Sequence, residues 1–229
     1  MRQSTHKYPL IMDMNPRSFI AESYRSLRTN IEFSSFDDEL KTIVVTSAKP
    51  EEGKTTTAVN MAVAFAQAGK NVVLIDADLR KPSIHHIFNK HNQGGLSNLI
   101  AQKHLLIEMI QETHIDNLSV ITSGPVPPNP SEMLSSHYFT EILDELKARY
   151  SIIIIDSAPA LTVTDAQIVA AKCDGVILVV NPGKTKRNAL VKVKEQFERV
   201  NARLLGAVFN KVKPNKRNKQ EDFYYENRA

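Results

Sequence analysis

The stretch Ala48-Lys49-Pro50-Glu51-Glu52-Gly53-Lys54-Thr55 has the spacing of a phosphate-binding loop, with Ala48 where the first glycine is usual. Gly53 lets the backbone turn closely around a phosphate with no Cβ in the way. Lys54 supplies a point charge for β- and γ-phosphates, and the Thr55 hydroxyl is suited to Mg²⁺. Carboxylates are poor neighbours for a polyanion, so Glu51 and Glu52 are expected to point outward and leave only their amides facing the phosphates. The nucleotide contacts expected here are Ala48, Lys49, Pro50, Glu51, Glu52, Gly53, Lys54, Thr55 and Thr56.

Two further clusters supply the carboxylates such a loop requires. Val72–Ile75 is an apolar run that ends in Asp76-Ala77-Asp78, and in extended backbone an i, i+2 pair projects to one side. One of these aspartates can help hold Mg²⁺ while the other orients or deprotonates an attacking hydroxyl, and the residues alone leave open which does what. Two such charges side by side call for a metal or for nearby Arg80 and Lys81. Ile152–Ile155 is a second apolar run, ending in Asp156 as a Walker B strand does, which makes Asp156 a metal ligand. Catalytic work therefore falls to Lys54, Asp76 and Asp78, and metal binding to Thr55, Asp76 and Asp156.

These groups need a sheet to hold them. Six β-branched runs alternate with helical stretches: Ile43–Val45, Val72–Ile75, Leu118–Ile121, Ile152–Ile155, Val176–Val180 and Leu204–Phe209. Strands with no polar alternation are buried on both faces, which predicts one α/β domain with a mostly parallel sheet flanked by helices on both faces. Asn129-Pro130 reads as an N-cap with proline at the first helical position. The domain is expected over residues 1–211, with 1–16 irregular, and a polar tail over 212–229.

A 229-residue chain with 42% apolar residues can build a sizeable core, and no stretch has the length of a membrane span. One cysteine, Cys173, excludes an internal disulfide and is expected to be buried in a helix. The net charge of +4 is concentrated in Lys211, Lys213, Lys216, Arg217 and Lys219, a run read as a solvated tail without interleaved aromatics; no specific nucleic acid is expected. His85, His86 and His91 lack the companions of a tetrahedral metal set and are assigned to a surface helix.

Taken together, the modified loop, Asp76-Ala77-Asp78 with Arg80-Lys81-Pro82, Thr122 to Ser131, Asp156 to Pro159, Thr164-Asp165-Ala166 and the pattern Glu22, Arg25, Arg28 resemble the bacterial protein-tyrosine kinases of exopolysaccharide and capsule systems. The resemblance extends over nearly the whole chain. It implies ATP and Mg²⁺ as cofactors, and autophosphorylation in trans on a C-terminal tyrosine cluster that Tyr224 and Tyr225 match. It further implies a ring-shaped homo-oligomer, an octamer, with Glu22, Arg25 and Arg28 at the subunit contact. The implied partners are a transmembrane activator, tyrosine-bearing protein substrates and a cognate tyrosine phosphatase. The implied location is the cytoplasm, at the inner membrane face. Asn210 matches a position that contacts the base in P-loop relatives. From the helical wheel, Ile20, Tyr24, Leu27 and Ile31 form an apolar stripe, with Glu22, Arg25 and Arg28 on its flank and back.

The competing class is a switch ATPase of the chromosome-partition or division-site type, acting by nucleotide-dependent dimerisation. Lys49 favours it, standing where those proteins place a lysine that reaches across a dimer. Pro50, Glu51 and Glu52, where that group has glycines, stand against it, as do the tyrosine tail and the Glu22–Arg28 pattern.

Overall fold

The computed structural model describes residues 10–34, 40–102 and 104–212. In chain order the elements are α1 (Ile11–Met14), α2 (Phe19–Phe33), β1 (Thr42–Ser47), α3 (Lys54–Gln67), β2 (Val72–Asp76), α4 (Ile84–Ile87), α5 (Leu96–Ile100) and α6 (Leu106–Met109). There follow β3 (Gln111–Glu112), β4 (Leu118–Ile121), α7 (Pro130–Ser135), α8 (His137–Arg149), β5 (Ile152–Asp156), α9 (Asp165–Ala170), β6 (Gly175–Val180), α10 (Arg187–Arg199) and β7 (Leu204–Phe209).

All six apolar runs are strands of one sheet, ordered β3-β4-β2-β5-β1-β6-β7. Every pairing is parallel except that of β3, a two-residue edge strand antiparallel to β4. Gln111-Glu112 carries no apolar or β-branched signal and is invisible to a pattern search.

The unbroken runs are explained by two cores. Successive residues point to opposite faces, so Ile43, Val45, Ile152 and Ile154 pack under α1, α2, α3 and α4. Val44, Ile153 and Ile155 pack on the other face against residues of α5, α7, α8, α9 and α10. Helix α3 lies between the sheet and α2 and is buried over most of its length. Among the described residues no helix is long and apolar enough to cross a membrane.

Helix α2 departs from the wheel. Tyr24 and Ile31 are buried and Leu27 is partly so, but Ile20 is 50% exposed and Ala21 takes its place in the core. Arg28 is not on the back of the helix: its guanidinium donates to the Ala64 carbonyl of α3 at 3.2 Å and lies 3.6 Å from Glu32. Arg25 pairs with Glu22 at 3.0 Å and donates to the Pro16 carbonyl at 2.6 Å. The lead-in is more regular than expected from residue 10 onward. Met12 is buried, and its amide donates to the Asn60 side chain at 3.0 Å, while Asn60 donates back to the Thr56 carbonyl at 2.9 Å.

Asn129 and Pro130 cap α7 as the sequence implies, although no side-chain hydrogen bond is made. Cys173 is half-buried in the turn after α9 rather than inside a helix; burial pushes its thiol up to about 12.

Phe65, fully buried on α3, anchors one core, whereas Ile20 contributes little. Phe65→Ala is expected to lower stability by about 3–5 kcal/mol and Ile20→Ala by less than about 0.5 kcal/mol, read from urea denaturation midpoints. Equal losses would mean that α2 packs through a different face.

Candidate active site

The sheet order fixes the site. Strands β1, β5 and β2 are neighbours, with Val45 opposite Asp156 and Asp156 opposite Asp76. The phosphate-binding loop, Asp156 and Asp76 therefore share one carboxyl edge, where parallel α/β sheets bind ligands. A cleft of about 1690 Å³ opens there, lined by Gly53, Lys54, Thr55, Asp78, Arg80 and Lys81 among others.

Asp76, Asp156 and Asp78 converge on Lys54. Lys54 Nζ is 2.8 Å from Asp78 Oδ2, 3.6 Å from Asp156 Oδ1 and 3.3 Å from Thr55 Oγ1. Burial works against its charge, but Asp156, Asp78 and Asp76 outweigh burial and raise its pKa above the ordinary lysine value. Burial, then the charge of Asp156, pushes Asp76 up to about 7, against the amides of Ile84 and Ser83, which both donate to Oδ2 at 2.9 Å. Burial likewise pushes Asp156 up to about 6, opposed chiefly by Lys54.

The expected counter-charges are corrected here. Lys54, not Arg80 or Lys81, makes the direct ion pairs with the cluster, at Asp78 and Asp156. Arg80 makes a two-pronged pair with buried Asp165, at 2.8 and 3.0 Å, and donates to Ser131 at 3.0 Å; Ser131 in turn donates to Asp165 at 2.7 Å. Lys81 contributes its amide, which donates to Asp78 Oδ1 at 3.1 Å. Arg80, Ser131 and Asp165, far apart in sequence, thus pin the turn after Asp78 to α7 and α9. Of the pair, Asp78 is among the residues that line the cleft, while Asp76 is fully buried and is not.

The donor set fits Mg²⁺. Among the described residues, Asp76 Oδ1 and both oxygens of Asp156 are buried with no hydrogen-bond partner, which is costly unless a cation arrives. Among the described residues no three His, Cys, Asp or Glu side chains form a metal cage by themselves. Mg²⁺ needs none, because it takes one or two carboxylates and completes its octahedron with phosphate oxygens and water. His85 and His86 lie on α4, and His91 lies beyond it.

The loop itself differs in one respect from expectation. Glu51 is exposed, but Glu52 is 2% exposed and turned into the protein, accepting from the Lys49 amide at 3.0 Å and from the Thr185 hydroxyl at 2.5 Å. Ala48 is buried in the core, and Lys49 and Pro50 are exposed. Glu51 and Gly53 both have positive φ, at 65° and 100°. Asn210 donates to the Glu52 carbonyl at 3.1 Å, and a Cβ on Gly53 would overlap its amide nitrogen. Lys211 is not merely the start of a solvated run, for its ammonium donates to the Glu51 carbonyl at 2.8 Å. Glu52 was expected through its amide and not through its carboxylate, and Thr185 and Lys211 had no sequence signal as site residues. Tyr224 and Tyr225 lie outside the described residues.

The raised carboxylates give the nucleotide-free chain a distinctive pH dependence. Asp76 and Asp156 hold protons more tightly folded than unfolded, so the folded state binds more protons between about pH 4 and about pH 7. Their contribution to stability therefore falls as pH rises through that window. With a chelator present, Asp76→Asn is expected to gain melting temperature relative to the unsubstituted chain as pH is raised from 5 to 7.5. A difference that stays constant with pH would mean that Asp76 has an ordinary pKa.

A model for the AAA_31 family, an AAA domain, matches residues 40–208. Tyrosine-protein kinase YwqD of Bacillus subtilis (strain 168) is 45% identical over 215 residues, spanning 94% of this chain and 91% of its own length. Among solved structures, the chimerical protein CapA2B2 superposes with a TM-score of 0.86 at 42% identity and covers 90% of each chain. The kinase domain of the Escherichia coli tyrosine kinase ETK gives 0.88 at 32% identity, over 94% of this chain and 85% of its own. The septum site-determining protein MinD of Pyrococcus horikoshii OT3, solved with Mg-ADP, is a looser match at 0.65 and 25% identity, over 78% and 73%. MinD shares the scaffold, but the deep and nearly full-length similarity is to the kinases. On these matches and on the site they cover, the chain belongs to the AAA_31 family and, within it, to the bacterial protein-tyrosine kinases.

Proposed function

We propose that the chain transfers the γ-phosphoryl group of ATP to tyrosine, on its own Tyr224 and Tyr225 in trans and on other proteins, and so regulates exopolysaccharide or capsule synthesis. The observation that carries this reading is Asp78 lining the cleft at 2.8 Å from Lys54, beside a loop built for phosphates.

Lys54 stabilises charge that develops on the transferring group, from a position held by Asp78 and Asp156. Asp78, the aspartate that faces the cleft, accepts the proton of the attacking tyrosine hydroxyl. The tyrosine oxygen forms a bond to the γ-phosphorus as the bond to the bridging oxygen breaks, leaving ADP and phosphotyrosine. Thr55, Asp76 and Asp156 would hold Mg²⁺, which when bound would neutralise phosphate charge. Residues 212–229 act as the substrate tail, and Asn210 borders the base.

Glu22, Arg25 and Arg28 contribute to a ring-shaped homo-oligomer, and a transmembrane activator brings the chain to the cytoplasmic membrane face. A tyrosine phosphatase reverses the modification. In this reading charged contacts fix subunit register more than they supply affinity. The switch-ATPase alternative retains only Lys49, whose exposed position leaves it available to a partner.

With radiolabelled ATP, with and without an activator fragment, label is expected on the chain itself and is lost in the Tyr224→Phe, Tyr225→Phe double variant. Asp78→Ala is expected to cut labelling by about 10²-fold or more while the circular dichroism stays unchanged. Label recovered only as free phosphate would support the ATPase instead.

Arg25→Ala combined with Arg28→Ala is expected to reduce the mass seen by light scattering. Because Arg28 also holds α3, a Glu22→Ala variant serves as the cleaner comparison. Unchanged mass in both would remove these residues from a subunit contact.

A further inference from the structure

The loop contains a single glycine, Gly53, yet it must point successive amides at a phosphate. The amides of Glu51, Gly53, Lys54 and Thr55 have no acceptor among the described residues. The loop carbonyls, in contrast, are engaged by donors from other elements. Ser47 Oγ donates to the Lys49 carbonyl at 2.7 Å, Lys211 Nζ to that of Glu51 at 2.8 Å and Asn210 Nδ2 to that of Glu52 at 3.1 Å. An outward-facing row of amides with its carbonyls tied back is an anion-binding nest.

What holds that row in place is the side chain of Glu52. It is 2% exposed, and one carboxylate oxygen closes a turn onto the Lys49 amide while the other receives the Thr185 hydroxyl. Thr185 is itself fixed: its Oγ1 accepts from the Asn181 amide at 3.1 Å and its own amide donates to the Asn181 carbonyl at 2.8 Å. Asn181 directly follows β6, the neighbour of β1 on the side away from Asp156. The loop is thus braced from the β6–α10 connection, opposite the carboxylate cluster. A carboxylate so near a polyanion site would repel the ligand if it could swing outward; both of its oxygens are held inward.

We propose that Glu52, clamped by Thr185, is a positioning residue for the nucleotide phosphates: it holds the amide row of this glycine-poor loop in its phosphate-receiving shape. The inference rests on the reading of the site as an ATP site, and it is independent of what accepts the phosphoryl group. Removing the clamp releases a loop whose ordering must then be supplied by the ligand, so the loss appears in affinity for nucleotide.

Calorimetric titration of the folded chain with Mg·ATP, below the melting temperature of every variant, tests this. Thr185→Val keeps the shape of the side chain and removes the donor, so the dissociation constant is expected to rise roughly tenfold, the scale of one hydrogen bond to a charged group. Thr185→Ser should restore it. Glu52→Ala should weaken binding at least as much, and adding Thr185→Val to it should weaken it little further, since both break one clamp. In tyrosine labelling the KM for ATP should rise by that factor, with kcat changed less. Unchanged affinity in Thr185→Val, or independent effects of the two substitutions, would overturn the proposal. A chain that binds ATP with these dependences but labels no tyrosine would overturn the kinase reading alone.

Discussion

Three aspartates set around one buried lysine are the constraint on which this molecule is organised. Lys54 cannot neutralise Asp76, Asp78 and Asp156 by itself, and two of the three are held at raised pKa by burial. A fold selected for stability alone would replace such a cluster with apolar side chains at little loss or with a gain. The cluster is retained at the carboxyl edge of a sheet whose order makes β1, β5 and β2 adjacent, so its excess negative charge is available to a divalent cation and its ligand. The remaining architecture keeps those charges in place: two apolar cores grip the strands from both faces, and Arg80, Ser131 and Asp165 anchor the turn that carries Asp78.

The fold was largely legible because burial on both faces leaves a direct trace. Ile152 to Ile155 can be uniformly apolar only if alternate residues meet separate cores, and they do. The edge strand Gln111-Glu112 left no such trace, since a two-residue edge pairing needs neither burial nor β-branching. The lead-in helix at Ile11–Met14 is similarly silent: it is fixed by a hydrogen bond to Asn60, a contact 48 positions away that no local pattern carries.

The same distinction divides the site. Lys54, Asp76, Asp78 and Asp156 could be read from motifs because each sits at a strand or helix end with a fixed relation to the loop. Which side chain neutralises which could not. Arg80 is next but one to Asp78 in sequence, yet its guanidinium reaches Asp165, and Glu52, in the middle of the loop, turns its charge away from the ligand toward Thr185. Pairing of charges is decided by rotamer and by distant elements, and spacing along the chain says little about either.

Gly53 and Asn210 illustrate a further consequence. The glycine has the positive φ that starts α3, and the asparagine occupies the space in which a side chain at position 53 would stand. That same asparagine amide holds the Glu52 carbonyl away from the amide row. A larger residue at 53 would have to evict Asn210 and so free the carbonyl, whereas a shorter residue at 210 would leave a gap over the glycine and the same carbonyl untethered. The two positions, separated by nearly the whole domain, are thus physically coupled: a change at either alters the space or the tether on which the other depends.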